Sequence, residues 1–103
     1  MAVSPTSLLQ RFIAQAGRLG ADTLEVEYRD GHEQVSVLKG GVGFEIARLP
    51  SMGRRSAALR EELDQLRKRK RTTVTVSGAE YEICARAYER FGEQAFEVRL
   101  RRL

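Results

Sequence analysis

The side chains best suited to chemistry in this 103-residue chain are one histidine and one cysteine. His32 has two carboxylates nearby in sequence, Asp30 and Glu33, and such a group could hold a metal ion weakly. The chain has no second histidine to complete a site, so we interpret His32 as an exposed turn residue. Cys84 could act with a histidine base only if this one imidazole lay beside it in the fold. We therefore expect no metal site, no cofactor and no catalytic residues, and we predict that the chain is not an enzyme.

Two glycine-rich segments have spacings found in ligand-binding loops, without the neighbours that such loops need. Residues 17–20 match the GxxG loop of nucleic-acid-binding KH domains, which joins two helices, whereas a strand is expected to follow here. Residues 40–43 are followed by neither a helix N-terminus nor the Lys-Ser/Thr pair of a phosphate-binding loop. Both segments are predicted to be turns.

Positive charge is concentrated in the second half of the chain. Residues 1–50 carry a net charge of −1 and residues 51–103 a net charge of +5, with five consecutive basic residues at positions 67–71. This run could contact the phosphates of a nucleic acid or an acidic partner. It could also be a solvated helix end, because cations stabilise the negative end of the helix dipole. Four aromatic residues are expected to build the core and not to stack on bases: Tyr28, Phe44, Tyr81 and Phe96.

The first half of the chain predicts one helix followed by three strands. Ser4 and Pro5 are typical of a helix start. Apolar residues with helical spacing follow: Leu8, Leu9, Phe12, Ile13 and Ala16. Residues 20–31 alternate as a half-buried strand and end in the Asp30-Gly31 hairpin turn. Two returning strands are predicted at residues 34–38 and 42–50, around a glycine turn, with these residues inward: Val35, Val37, Val42, Phe44 and Ile46.

The second half predicts a helix followed by three more strands. Ser51 is a plausible N-cap for a helix that runs to about Arg69, with this apolar face: Ala58 or Leu59, Leu63 and Leu66. Strands are predicted at residues 72–77, 81–88 and 96–101, joined by turns at Gly78-Ala79 and around Gly92. The fold class is therefore α+β, with an antiparallel sheet of about five to six strands in the order α-β-β-β-α-β-β-β. Both helices are expected to pack on the sheet, which gives two layers.

Composition sets the remaining limits. The length suits one domain, residues 1–103. We find no apolar run of membrane-spanning length and expect no secretory signal. One cysteine fits a reducing compartment, so the cytoplasm is the expected location.

Two stretches of the sequence resemble the N-terminal domain of the traffic ATPases of type II secretion and type IV pili. The first is residues 19–27, LGADTLEVE, followed by Asp30-Gly31; the strand entry of that family reads LGASDIHIE. The second comprises residues 74–82 and 96–103, which look like the last three strands of that domain. The resemblance covers most of the chain, roughly residues 8–103. It implies a PAS-like fold and a module that packs on a motor domain and contributes to hexamer assembly.

The departures from that family restrict what the resemblance implies. The chain contains no Walker motif, so we expect no ATP hydrolysis. The family's Asp-Ile-His triplet falls on residues 23–25, Thr-Leu-Glu, and its arginine-bearing strand falls on residues 36–38, Ser-Val-Leu. No nucleotide-binding residue is therefore expected.

The leading functional hypothesis is a non-catalytic module that acts through protein–protein contacts. The expected interaction surface consists of basic residues: Arg60, Arg67, Lys68, Arg69, Arg71, Arg99 and Arg101. Three apolar residues expected on the outer side of the sheet could anchor a homodimer: Leu38, Ala47 and Leu49. The alternatives are a nucleic-acid-binding module that uses the same basic residues and a sensor that holds a small ligand in a PAS-like cavity.

Overall fold

The fold is a six-stranded antiparallel sheet with two helices, as predicted. The computed structural model describes residues 7–76 and 78–103. Its elements, in chain order, are α1 (Leu8–Arg18), β1 (Thr23–Arg29), β2 (His32–Lys39), β3 (Val42–Pro50), α2 (Arg54–Arg67), β4 (Thr72–Val76), β5 (Ala79–Arg90) and β6 (Glu93–Arg102). The strands lie in the order β3-β2-β1-β6-β5-β4, so the long-range pairing of β1 with β6 joins the two halves of the chain.

The sheet has one covered face and one open face. Alternate residues of the central strands, among them Leu24, Val26, Val98 and Leu100, form one buried cluster with both helices. We call this side of the sheet the inner face. The residues between them, such as Glu25, Cys84, Glu97 and Arg99, point to the opposite side, which no element in the described part of the chain covers. We call this second side the outer face.

Helix α1 begins at Leu8 behind a side-chain cap. Ser7 is its N-cap: the Gln10 backbone N–H donates to Ser7 Oγ at 3.1 Å, and the Ser7 N–H donates to Gln10 Oε1 at 3.3 Å. This reciprocal pair is a capping box. The predicted start at Ser4 and Pro5 lies outside the described residues. The apolar stripe is buried as expected, with Phe12 and Ile13 against the sheet.

The predicted start and end of helix α2 are both wrong by about two residues. Its N-cap is Gly53 and not Ser51, and the helix ends at Arg67 and not near Arg69. Gly53 offers no side chain to cap the first turn. Instead Ser56, which is fully buried, donates its hydroxyl to the Pro50 carbonyl at 2.6 Å. This bond joins the first turn of α2 to the end of β3.

A β-bulge in β3 overturns the predicted face of its second half. The pairing of β3 with β2 shifts between Val35 and Ser36, so that Val35 lies opposite Ala47 while Ser36 lies opposite Glu45. Ile46 is the extra residue, and one inserted residue moves every later side chain to the other face. Ala47 and Leu49 therefore pack inward and cannot anchor a dimer on the outer face.

The aromatic residues divide between core and surface. Phe96 is buried and Tyr81 packs against the core, as predicted. Tyr28 and Phe44 are exposed, which contradicts their predicted core position. Phe44 lies opposite Val37 near the start of β3, an edge strand of the sheet, and its side chain is 54% exposed.

The turn between β5 and β6 contains a residue that the backbone does not favour. Phe91 has a φ of 54° and its side chain is 95% exposed. The left-handed region is unfavourable for a bulky residue, whereas asparagine adopts it readily. We therefore expect Phe91→Asn to raise the free energy of unfolding by about 1 kcal/mol, measured by urea denaturation. Phe91→Ala keeps the strained backbone and should change stability by less than about 0.5 kcal/mol; an equal gain in both variants would contradict this explanation.

No helix in the part of the chain that the structure describes is long and apolar enough to cross a membrane.

Candidate interaction surfaces

A group of arginines and glutamates lies on the outer face, near the start of β1 and the end of β6. The register of β5 with β6 places Cys84 opposite Arg99 and Glu82 opposite Arg101. Arg71, just before β4, joins them from the neighbouring edge, 3.9 Å from Glu82. These side chains line a concavity of about 660 Å³ together with Asp22 and Thr23. We call Arg71, Arg99 and Arg101 the outer-face arginines.

Four arginines at this end of the outer face share two glutamates. Glu97 accepts from Arg86 at 2.9 Å and from Arg99 at 3.4 Å. Glu82 accepts from Arg101 at 3.0 Å and lies near Arg71. Each carboxylate thus serves two guanidinium groups, whose side chains are 69–75% exposed. Because a guanidinium has five N–H donors, each arginine keeps donors that a further anionic group could use.

The predicted basic surface separates into four places. Arg71, Arg99 and Arg101 are brought together on the outer face, as described above. Arg67 and Lys68 both pair with Asp64 at the end of α2, at 2.6 and 3.4 Å, and Arg67 holds the pKa of Asp64 below its usual value. Arg69 lies exposed beside the groove between the helices, described below.

Arg60, the last member of the predicted surface, lies over the inner face beside a buried carboxylate. Its guanidinium donates to the Gln94 carbonyl at 3.3 Å, and its Nε lies 3.8 Å from Glu33 Oε1. Glu33 is completely buried, and neither of its carboxylate oxygens has a hydrogen-bond partner among the described residues. Burial raises the pKa of Glu33; Arg60 opposes this effect and Glu93 adds to it.

The buried position of Glu33 is a feature that the sequence analysis missed. The signal was present in β2, because Val35 and Val37 point inward and residue 33 has the same parity. Its neighbour His32 points to the other face, with Nδ1 3.1 Å from the Asp30 carbonyl oxygen. The three residues considered as a weak metal site therefore do not converge, and residues 7–76 and 78–103 contain no group of three possible metal ligands.

Cys84 and His32 are also separated by the fold. Cys84 is exposed on β5 and His32 lies at the start of β2, with β1 and β6 between these two strands. A thiol–imidazole pair therefore does not form. His32 is the first residue of β2 and half-buried, so its interpretation as an exposed turn residue is wrong.

A second group of charges occupies the other end of the outer face. Tyr88 donates a long hydrogen bond to Glu25 at 3.5 Å, and Arg90 lies 3.4 Å from Glu27. Burial, followed by repulsion from Glu27 and Glu97, raises the pKa of Glu25. This end of the face thus carries Glu25 and Glu27 beside Arg90. The alternation of β5 placed Arg86 and Tyr88 outward, but it did not indicate which charges of the other strands they would meet.

Two grooves lie between the helices and strand β4. The larger, of about 570 Å³, runs between α1 and α2 above Val74 and Ile83 and has Glu61, Glu62 and Arg69 at its rim. The smaller, of about 450 Å³, lies between α1 and β4 and is lined by Gln10, Ile13, Ala14 and residues 73–76. We call the smaller one the edge groove. Thr72 Oγ1, at the first residue of β4, is buried without a hydrogen-bond partner in the described structure.

Comparison with known proteins identifies no relative: no protein-family model matches the chain, and a search of curated proteins finds no match.

Proposed function

We propose that this domain is a non-catalytic interaction module whose outer-face arginines bind an acidic surface of a partner protein. The observation that carries the proposal is the group of four exposed arginines at one end of the uncovered sheet face, where Glu82 and Glu97 each serve two guanidinium groups. Such a surface is arranged to receive carboxylates. It would also steer a negatively charged partner towards the domain before contact is made.

The position of the arginines supports a defined binding site. Arg99 projects from the central strand β6 where β6 pairs with both β1 and β5. Arg101 follows two residues later, where β6 pairs with β5. Their ion pairs with Glu97 and Glu82 restrict the guanidinium orientations before a ligand arrives. Less side-chain entropy is then lost on binding, which favours affinity.

The family resemblance indicates what kind of partner this is. In the N-terminal domains of secretion and pilus ATPases, a PAS-like module packs on another protein domain of an assembly. We propose the same role here, with the partner supplied by a component of a comparable assembly. The proposed location is a reducing compartment such as the cytoplasm, where the exposed Cys84 stays a thiol.

The second candidate is binding of a nucleic acid to the same arginines. The surplus of positive charge favours it, since phosphates would satisfy the same guanidinium donors. The aromatic residues do not favour nucleic-acid binding. Tyr88 is half-buried on the outer face and lies 5.9 Å from the Arg86 guanidinium, so it does not offer a bare ring for stacking.

Charge-neutralising variants test the proposed site. We expect Arg71→Gln/Arg99→Gln/Arg101→Gln to weaken binding to a fluorescein-labelled polyglutamate peptide about tenfold or more, because three of the guanidinium partners are removed. Binding is measured by fluorescence anisotropy at several salt concentrations. A matched control, Arg18→Gln/Arg54→Gln/Arg55→Gln, removes the same charge from exposed helix positions and should weaken binding about threefold or less.

Two results would contradict the proposal. Equal losses in the two triple variants would mean that net charge alone drives binding. Tighter binding to a DNA or RNA oligonucleotide of equal charge, with a steep fall in affinity as salt rises, would instead support the nucleic-acid candidate.

A further inference from the structure

The two edge strands of the sheet differ in how well they are protected against pairing with another chain. Strand β3 contains a bulge, ends in Pro50 and carries the Arg48–Glu45 ion pair, all of which hinder further strand addition. Strand β4 has the sequence Thr-Thr-Val-Thr-Val, with no charge, proline or bulge. Within residues 7–76 and 78–103, β4 pairs only with β5, so its other edge presents unpaired backbone N–H and C=O groups.

The edge groove lies alongside this unprotected strand on the inner side. Val74 and Val76 point towards it and are half-buried, while Ile13 and Ala14 of α1 form its opposite wall. None of the residues that line it is charged. A seventh strand added to β4 would direct every second side chain into this groove, where apolar side chains would be buried.

Charge at the start of β4 indicates the character of the added strand. Arg69, Lys70 and Arg71 are exposed immediately before the strand begins. A second copy of this chain would bring a second +4 charge and a second basic run to the same edge, which disfavours self-association. An acidic segment would be attracted to the basic run instead.

We propose that β4 binds an extended acidic segment of a partner protein as a seventh strand, with alternate apolar side chains in the edge groove. The surface formed by β4 and the edge groove is separate from that of the outer-face arginines, although Arg71 lies next to both. The two proposals can therefore fail independently.

A synthetic peptide of about nine residues, with valine alternating with glutamate, is the probe for this site. In NMR titrations of the full ¹⁵N-labelled chain, we expect its addition to shift the amide signals of residues 73–76 and to slow their hydrogen exchange. The matched control peptide has the same charge but proline at its centre, which removes a backbone donor. It should bind about tenfold more weakly or not at all.

Two alanine-to-glutamate substitutions distinguish binding in the edge groove from a general electrostatic attraction of the peptide. Ala14→Glu places a carboxylate in the edge groove and should weaken peptide binding about tenfold. Ala57→Glu makes the same change at an exposed position of α2 and should weaken it about twofold or less. Neither position belongs to the sheet, so β4 itself stays unaltered in both variants.

The proposal would be overturned by no binding at about 1 mM peptide or by equal binding of the proline peptide. Equal effects of Ala14→Glu and Ala57→Glu, or amide shifts confined to the outer face, would overturn it as well. Protection of the β4 amides that rises with chain concentration in the absence of peptide would also overturn it, since a second copy would then occupy the edge. Retained binding in the Arg71→Gln/Arg99→Gln/Arg101→Gln variant would support the edge site and leave the outer-face proposal to its own test.

Discussion

Replacing Phe96 by alanine is expected to lower the free energy of unfolding by about 3–5 kcal/mol. Phe96 is 1% exposed and lies on β6 between Val26 of β1 and Ala87 of β5. Its removal would leave a cavity where the two halves of the chain pair, and regular strands on both sides cannot move in to fill it. Since domains of this size are stable by about 5–15 kcal/mol, the variant should unfold at a much lower urea concentration.

Phe91 provides a matched control for this prediction. Phe91→Ala removes the same atoms from the hairpin tip, where the ring is 95% exposed, and should change stability by less than about 0.5 kcal/mol. Both variants are measured by urea denaturation followed by circular dichroism. Similar changes in the free energy of unfolding for the two variants would mean that Phe96 is not the centre of the core that joins the two halves of the chain.

Replacing Glu33 by methionine is expected to raise the free energy of unfolding at pH 7 by about 1–3 kcal/mol. The carboxylate is fully buried and lacks hydrogen bonds within the described structure. The Nε of its cationic neighbour, Arg60, is 3.8 Å from Glu33 Oε1. This geometry does not compensate the loss of hydration of a buried charge. Methionine has a similar volume and contacts Leu49 and the surrounding core without that loss.

The pH dependence of this effect follows from the raised pKa of Glu33. The folded chain holds the Glu33 proton more tightly than the unfolded chain, whose pKa has the ordinary value of 4.5. Below pH 4.5 the side chain is protonated in both states. As the pH rises above 4.5 the unfolded chain ionises first, so stability falls until the folded pKa is passed. The advantage of Glu33→Met should therefore be small near pH 4 and increase as the pH rises above 4.5.

Denaturation at a series of pH values tests this sign. Glu80→Met, a change at an exposed position of β5, is the control and should alter stability by less than about 0.5 kcal/mol at each pH. A loss of stability in Glu33→Met at pH 7 would show that the pair with Arg60 is net stabilising. The same conclusion would follow if the advantage of the variant increased as the pH fell.

The order of the elements and most turns were predictable because short-range rules govern them. The alternation in β1 involves residues two positions apart, and the apolar spacing in α1 involves residues three or four positions apart. The Asp30-Gly31 turn has positive φ at both residues, as this sequence favours, and so has the Gly40-Gly41 turn. The α+β class and six strands followed from these local patterns.

The faces of β3 and the burial of Glu33 depended on strand pairing. The bulge at Ile46 arises where β3 pairs with β2, and it reverses the direction of Ala47 and Leu49. Glu33 is buried because α2, which follows much later in the chain, carries Arg60 over the start of β2. The alternation of β2 places Glu33 on the same face as Val35 and Val37, but it does not show that α2 covers that position. It also does not show the bulge, since a register shift of one residue leaves the pattern unchanged and inverts the face.

The candidate sites divide in the same way. The sequence alone determined which residues are basic and that Arg99 and Arg101 point away from the core. The sheet order and register decided that these two line one concavity with Arg71, whereas Arg60, Arg67 and Lys68 lie elsewhere. They also made β4 an edge strand with a groove beside it. The reason is that local residue patterns set the shape of each element, while the neighbours of an element are set by pairing between distant parts of the chain.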